Sequence, residues 1–127
     1  GYCCALDMTR RDLQLLARAK QRPWDLGKDV EQSAVFSPIT KAADFDVNDQ
    51  RIYLEVNGET KQNSDLSALI HDVSAIVADL SQYYHLRAGD VILTGTPEGV
   101  GPVLAGDVIT GGIDGLDPIS LTIGSAE

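Results

Sequence analysis

A chain of 127 residues is the size of one domain, and 10 basic against 19 acidic side chains leave it at −9, the wrong sign for gripping a nucleic-acid backbone. Hydrophobic residues at 43% and charged residues at 23% match a water-soluble globular fold, and no run approaches the ~20 apolar residues of a membrane span, so neither nucleic acid nor membrane is an expected partner. The only cysteines are the neighbours Cys3 and Cys4, which argues against a disulfide framework or a zinc site and for buried thiols in a reducing, cytoplasmic compartment.

The segment GYCCALDM, residues 1–8, is short, mostly apolar and without helical spacing, and is expected to be a buried strand. It enters directly on that strand, so the chain is read as one domain, 1–127, lacking an N-terminal portion. Thr9 then offers a cap for a helix over Arg10 to about Gln21, with Leu13, Leu16 and Ala17 on one face, and Pro23 stops it. Trp24 to Pro38 has weak periodicity and is expected to be loop or short strands.

Arg51 to Gln62 predicts a hairpin: Ile52, Leu54 and Val56 alternate with Tyr53 and Glu55, and Asn57-Gly58 supplies the turn. From Asp65 to Tyr84, Leu66, Leu69, Ile70, Val73, Ile76, Val77 and Leu80 recur at three- and four-residue intervals, predicting a second long helix with Asp65 as its cap. Strands follow at Val91-Ile92-Leu93, at Val108-Ile109 and at Ile119 to Ile123, the first two entered through RAGD and AGD turns. Two main helices among six or more short strands predict an α+β fold with a sandwich- or roll-like sheet.

The stretch DVILTGTPEGVGPV, Asp90 to Val103, carries the most distinctive composition. It has no lysine after its glycines and no helix signal behind it, so it does not meet the requirements of a phosphate-binding loop. On residue pattern alone it is either a tight turn between strands or the wall of a small-molecule pocket, with Thr94 and Thr96 as hydroxyl donors.

Three segments together, GYCCALDMTRRDLQ (1–14), RPWDLGK (22–28) and GDVILTGTPEGVG (89–101), resemble the fumarylacetoacetate hydrolase family, and within it the acylpyruvate and fumarylpyruvate hydrolases. The VNGETKQ hairpin lies between them in the expected order, so the likeness covers essentially the whole chain. The resemblance implies a mixed β-roll catalytic domain of a dimeric, Mg²⁺- or Mn²⁺-dependent enzyme that hydrolyses a C–C bond in a β-diketo acid, in aromatic or keto-acid catabolism. It implies Asp7 as a metal ligand, a role suited to the hard carboxylate oxygen, and Lys28 as a catalytic ammonium able to stabilise developing negative charge. Arg11, Gln14 and Thr96 are implied as substrate contacts, Arg11 through two parallel hydrogen bonds to a carboxylate. Read without the family, Asp7 is just an acid at a strand end, solvated or capping, and Arg11, Gln14 and Lys28 are ordinary surface side chains.

The family pattern has three metal-binding carboxylates, two of them from a glutamate-x-glutamate segment. No such segment occurs in this sequence: Glu55 and Glu59 lie four apart across the hairpin turn. This stretch by itself is therefore expected to bind metal weakly and to turn over little. Two other readings stay open: a decarboxylase or isomerase of a related keto acid, such as oxaloacetate, on the same site, and a non-catalytic binding or assembly domain.

Overall fold

The structure, a computed structural model, describes residues 1–125. The hairpin forms where the sequence calls for it. Strands β3 (Arg51–Val56) and β4 (Glu59–Asp65) pair antiparallel, with Asn57 and Gly58 at φ 53° and 79° in the left-handed region that a tight hairpin turn requires. β3 also pairs with β5 (Val108–Ile113), and β5 with β6 (Ile119–Thr122), giving a four-stranded sheet of order β4-β3-β5-β6.

A second, two-stranded sheet is made by β1 (Ala5–Asp7) and β2 (Ala34–Phe36), antiparallel with Leu6 opposite Val35. Its inward residues, Cys4 and Leu6, pack against Ile109 and Ile119 of the larger sheet to form the buried core, with Met8, Val35, Leu54 and Val56 around them. Cys4 and Leu6 alternate inward as a strand demands, so the buried strand expected at the start of the chain is present, although its ladder is three residues long. Cys4 is buried and Cys3 only half-buried; both are free. Burial first, and the neighbouring Cys3 second, push the Cys4 thiol above its ordinary pKa, against a backbone hydrogen bond from Ala5.

Among the described residues, three α-helices accompany the sheets: α1 (Arg11–Ala19), the single turn α2 (Asp25–Lys28) and α3 (Val73–Leu80). The α+β expectation is met, with α1 and α3 as the main helices. Several details differ. Arg10, not Thr9, is the cap residue of α1, and no side chain caps it. The face of α1 turned inward centres on Gln14, while Leu16 stays 59% exposed.

The second helix is much shorter than its spacing predicts. β4 extends to Asp65, the Leu66 amide donates to the Gln50 carbonyl beside the ladder, and a single 3-10 turn follows at Leu66–Ala68. The cap of α3 is Asp72, whose carboxylate accepts from the Ala75 amide at 2.7 Å. Asp65 itself is extended. Residues 91–93 follow the expected turn, where the Arg87 amide donates to the Asp90 carboxylate, but they join no ladder. Among the described residues no helix is long and apolar enough to cross a membrane.

Candidate functional site

Because Leu6 faces the core, the next residue of β1 faces away from it, and the Asp7 side chain is left 42% exposed. The chain then passes through Thr9 into α1, where the Arg10 amide donates to the Gly27 carbonyl at 2.9 Å. That bond fastens the start of α1 to α2. The approach is so close that only glycine fits at position 27: a Cβ there would lie 2.9 Å from the Gln14 nitrogen and 3.0 Å from its Cβ.

This packing delivers Lys28, the last residue of α2, to the end of β1. Its ammonium donates to Asp7 Oδ1 at 2.5 Å and to Thr9 Oγ1 at 3.0 Å. Two residues after Thr9, in the first turn of α1, Arg11 Nη1 donates to Gln14 Oε1 at 2.6 Å, and Gln14 is buried beneath it. The guanidinium is thereby held by one of its nitrogens, with its remaining N–H groups available to a planar anion. So Asp7 and Lys28 are in direct contact, Arg11 and Gln14 are in direct contact, and both pairs rest on the α1–α2 junction.

Thr96 belongs to a second cluster. Its loop is fastened to β4 by Gln62, a buried side chain whose Nε2 donates to Thr96 Oγ1 at 2.9 Å and to the Pro97 carbonyl at 2.7 Å. Gly99, at φ 99°, lies against the Lys61 carbonyl where a Cβ would collide with it. Among the described residues, no hydrogen bond or ion pair joins Thr96 to Asp7, Arg11, Gln14 or Lys28. Gln62 was not foreseen from the sequence, since nothing in ETKQNSD marks which side of β4 turns inward.

A surface depression of about 570 Å³ opens beside Thr9, walled in part by Val30, Gln32, Phe36 and Ile123, and neither Asp7 nor Lys28 lines it. The Lys28 and Asp7 side chains are themselves 33% and 42% exposed, so that pair is open to solvent.

Mg²⁺ and Mn²⁺ take about six oxygen donors and bind firmly only with several anionic ones. Among the described residues no three His, Cys, Asp or Glu side chains converge. Asp7 offers one carboxylate, already paired with Lys28, while Glu59 pairs with Lys61 at the hairpin end. These residues do not make a complete divalent-metal site by themselves.

The fumarylacetoacetate (FAA) hydrolase C-terminal family model matches residues 1–124. The chain is 58% identical over 127 residues to a fumarylpyruvate hydrolase of Ralstonia sp., covering 100% of this chain and 66% of that protein. It is 40% identical over 117 residues to oxaloacetate tautomerase YcgM of Escherichia coli (strain K12), covering 91% of this chain and 53% of that one. Among solved structures, the fumarylpyruvate hydrolase of Pseudomonas aeruginosa in complex with Mn²⁺ and pyruvate superposes with a TM-score of 0.96 at 43% identity, covering 99% of this chain and 55% of that chain. The chain thus spans between about half and two thirds of the length of these relatives. With the model matched across nearly every residue and the fold shared throughout, the chain belongs to the fumarylacetoacetate hydrolase family.

Proposed function

We propose that the chain is the larger part of the catalytic domain of an enzyme that adds water across a C–C bond of a β-diketo acid of the acylpyruvate or fumarylpyruvate type. The bond between the methylene and the distal carbonyl breaks, giving a carboxylic acid and pyruvate. The observation that carries this reading is the 58% identity to fumarylpyruvate hydrolase over every residue of the chain.

The chain's own residues take distinct parts. Arg11, held by Gln14, binds a substrate carboxylate with paired N–H groups and fixes the orientation of the molecule. Thr96 meets a second carboxylate or keto oxygen. Lys28 sets a positive charge where negative charge gathers on the departing pyruvate fragment, and Thr9 and Asp7 hold that ammonium in place. Asp7 supplies one oxygen to a Mn²⁺ or Mg²⁺ ion, whose contribution when bound is Lewis-acid polarisation of a keto oxygen. The reading is supported by the Mn²⁺ and pyruvate of the Pseudomonas aeruginosa structure. It extends to a cytoplasmic homodimer in aromatic catabolism: the two free cysteines fit a reducing compartment, and exposed Ile70, Tyr83, Tyr84 and Leu104 side chains offer apolar surface that a partner would cover.

A second reading, tautomerisation or decarboxylation of oxaloacetate, is favoured by the 40% identity to the Escherichia coli tautomerase and shares the same residues. Product analysis separates them. The whole enzyme with Mn²⁺ is expected to release pyruvate and a second acid in equal amounts from fumarylpyruvate. Release of CO₂ from oxaloacetate, or keto–enol interconversion without C–C hydrolysis, overturns the proposal in favour of the second reading.

A further inference from the structure

The geometry points to Gln62 as a positioning residue that sets the hydrogen-bonding polarity of Thr96, an inference that rests on the reading of Thr96 as a substrate contact. Gln62 lies on β4 and is 8% exposed, whereas Thr96 is at the surface. The amide orientation follows from chemistry. The Pro97 carbonyl only accepts, so the nitrogen of the Gln62 amide must face it, at 2.7 Å. The same nitrogen faces Thr96 Oγ1 at 2.9 Å, so at that contact Thr96 accepts.

A hydroxyl has one proton and two lone pairs. With one lone pair engaged by Gln62, the Thr96 proton points elsewhere, and among the described residues no acceptor takes it. Gln62 therefore presents Thr96 outward as a donor, suited to the carboxylate or keto oxygen of a diketo acid. Both N–H groups of one buried amide fix the backbone and the side chain of the loop together, so the donor's place and its polarity are set by one residue. Gly99, seated on the Lys61 carbonyl next to Gln62, holds the far end of the same loop to the same strand.

The test is a double-mutant cycle in the whole enzyme, read by calorimetric titration with pyruvate in the presence of Mn²⁺, by KM and kcat on an acylpyruvate, and by thermal melting. Thr96→Val and Gln62→Met are each expected to weaken pyruvate binding about tenfold, the loss of one hydrogen bond to a charged group. The double variant is expected to bind no more weakly than Thr96→Val alone, because Gln62 acts through Thr96. Gln62→Glu, which keeps the shape but faces an acceptor to Pro97 and claims the Thr96 proton, is expected to raise KM more than Gln62→Met, and it serves in the cycle if the Met variant folds poorly. Full additivity of the two losses, or unchanged pyruvate affinity in Gln62→Met, overturns the inference. Unchanged affinity in Thr96→Val overturns it too, by removing Thr96 from the binding surface. Failure of the proposed reaction shows separately, as a wild-type enzyme that binds pyruvate yet leaves acylpyruvates intact.

Discussion

The ammonium of Lys28 lies 2.5 Å from Oδ1 of Asp7, joining the last residue of a helical turn to the last residue of a strand 21 positions earlier. The two side chains are 33% and 42% exposed, and an ion pair so open to water adds at most about 1 kcal/mol to stability. A contact that contributes so little to the fold is better placed to serve chemistry. Lys28→Met in the whole enzyme is therefore expected to lower kcat on an acylpyruvate by about 10²–10³-fold, as loss of a charge-stabilising donor does, with hardly any change in melting temperature. Asp7→Asn is expected to weaken Mn²⁺ binding while melting in the metal-free state stays near that of wild type. Near-normal turnover in either variant would remove that residue from the site.

The α1–α2 junction makes a prediction of opposite sign to the usual rule. Glycine to alanine inside a helix ordinarily stabilises by about 1 kcal/mol. At Gly27 the added Cβ meets the backbone nitrogen, Cα and Cβ of Gln14 at 2.9–3.1 Å, atoms that cannot swing aside. Gly27→Ala is expected to destabilise by about 1–3 kcal/mol, the cost of overpacking, and to lower activity by displacing Lys28 from Asp7. Urea denaturation and a kcat measurement check both halves; a stabilised, fully active variant would mean the helices are not in this contact.

The loop after Asp90 offers an internal control. Gly99 is left-handed and would drive a side chain into the Lys61 carbonyl, whereas a Cβ on Gly101 would meet nothing within 4 Å. Gly99→Ala is expected to cost about 1–3 kcal/mol from backbone strain before the collision is counted. Gly101→Ala is expected to be near neutral. Equal melting temperatures for the two variants would show that the loop is not seated on β4.

Much of the fold was legible because its signals are local. Asn57-Gly58 marks its own turn through the left-handed backbone both residues adopt, and the inward Cys4 and Leu6 follow the two-residue period of a strand. The helix expected over residues 65–84 shows where locality fails. Apolar residues at three- and four-residue intervals run unbroken from Leu66 to Leu80, but the first part is a 3-10 turn ending in Leu69 at ψ 130°, with no glycine or proline to announce the break. Ile70, 93% exposed, contributes to the periodic stripe without packing anywhere. Asp72, a good capping residue inside the stripe, was the one available cue.

The candidate site divides the same way. Gly99 could be recognised as a turn glycine, but its partner Gln62 could not be found, because β4 carries no apolar residue to label its inner face. The Asp7–Lys28 contact depends on the close crossing of α1 and α2, a tertiary feature that spacing does not encode. Family resemblance supplied those two residues; their own chemistry in the sequence did not.

A last expectation concerns acid. Asp107, just before β5, accepts from the Leu104 amide at 2.7 Å and from Asn57 Nδ2 at 2.8 Å, and Asn57 Oδ1 in turn accepts from the Val108 amide at 2.9 Å. The Leu104 bond first, and the Asn57 bond second, hold its carboxyl below the ordinary range. A folded pKa below the unfolded value of about 3.9 means the stabilisation is present above that pH and is lost as the pH falls through the folded value. Asp107→Asn keeps the shape but loses the charge that strengthens both bonds. It is expected to melt lower than wild type at neutral pH, with the gap narrowing once the pH drops below about 4. Thermal melts of both proteins from neutral to acid check this; a gap that stays constant would mean that the clasp between the hairpin turn and β5 owes nothing to the ionised carboxylate.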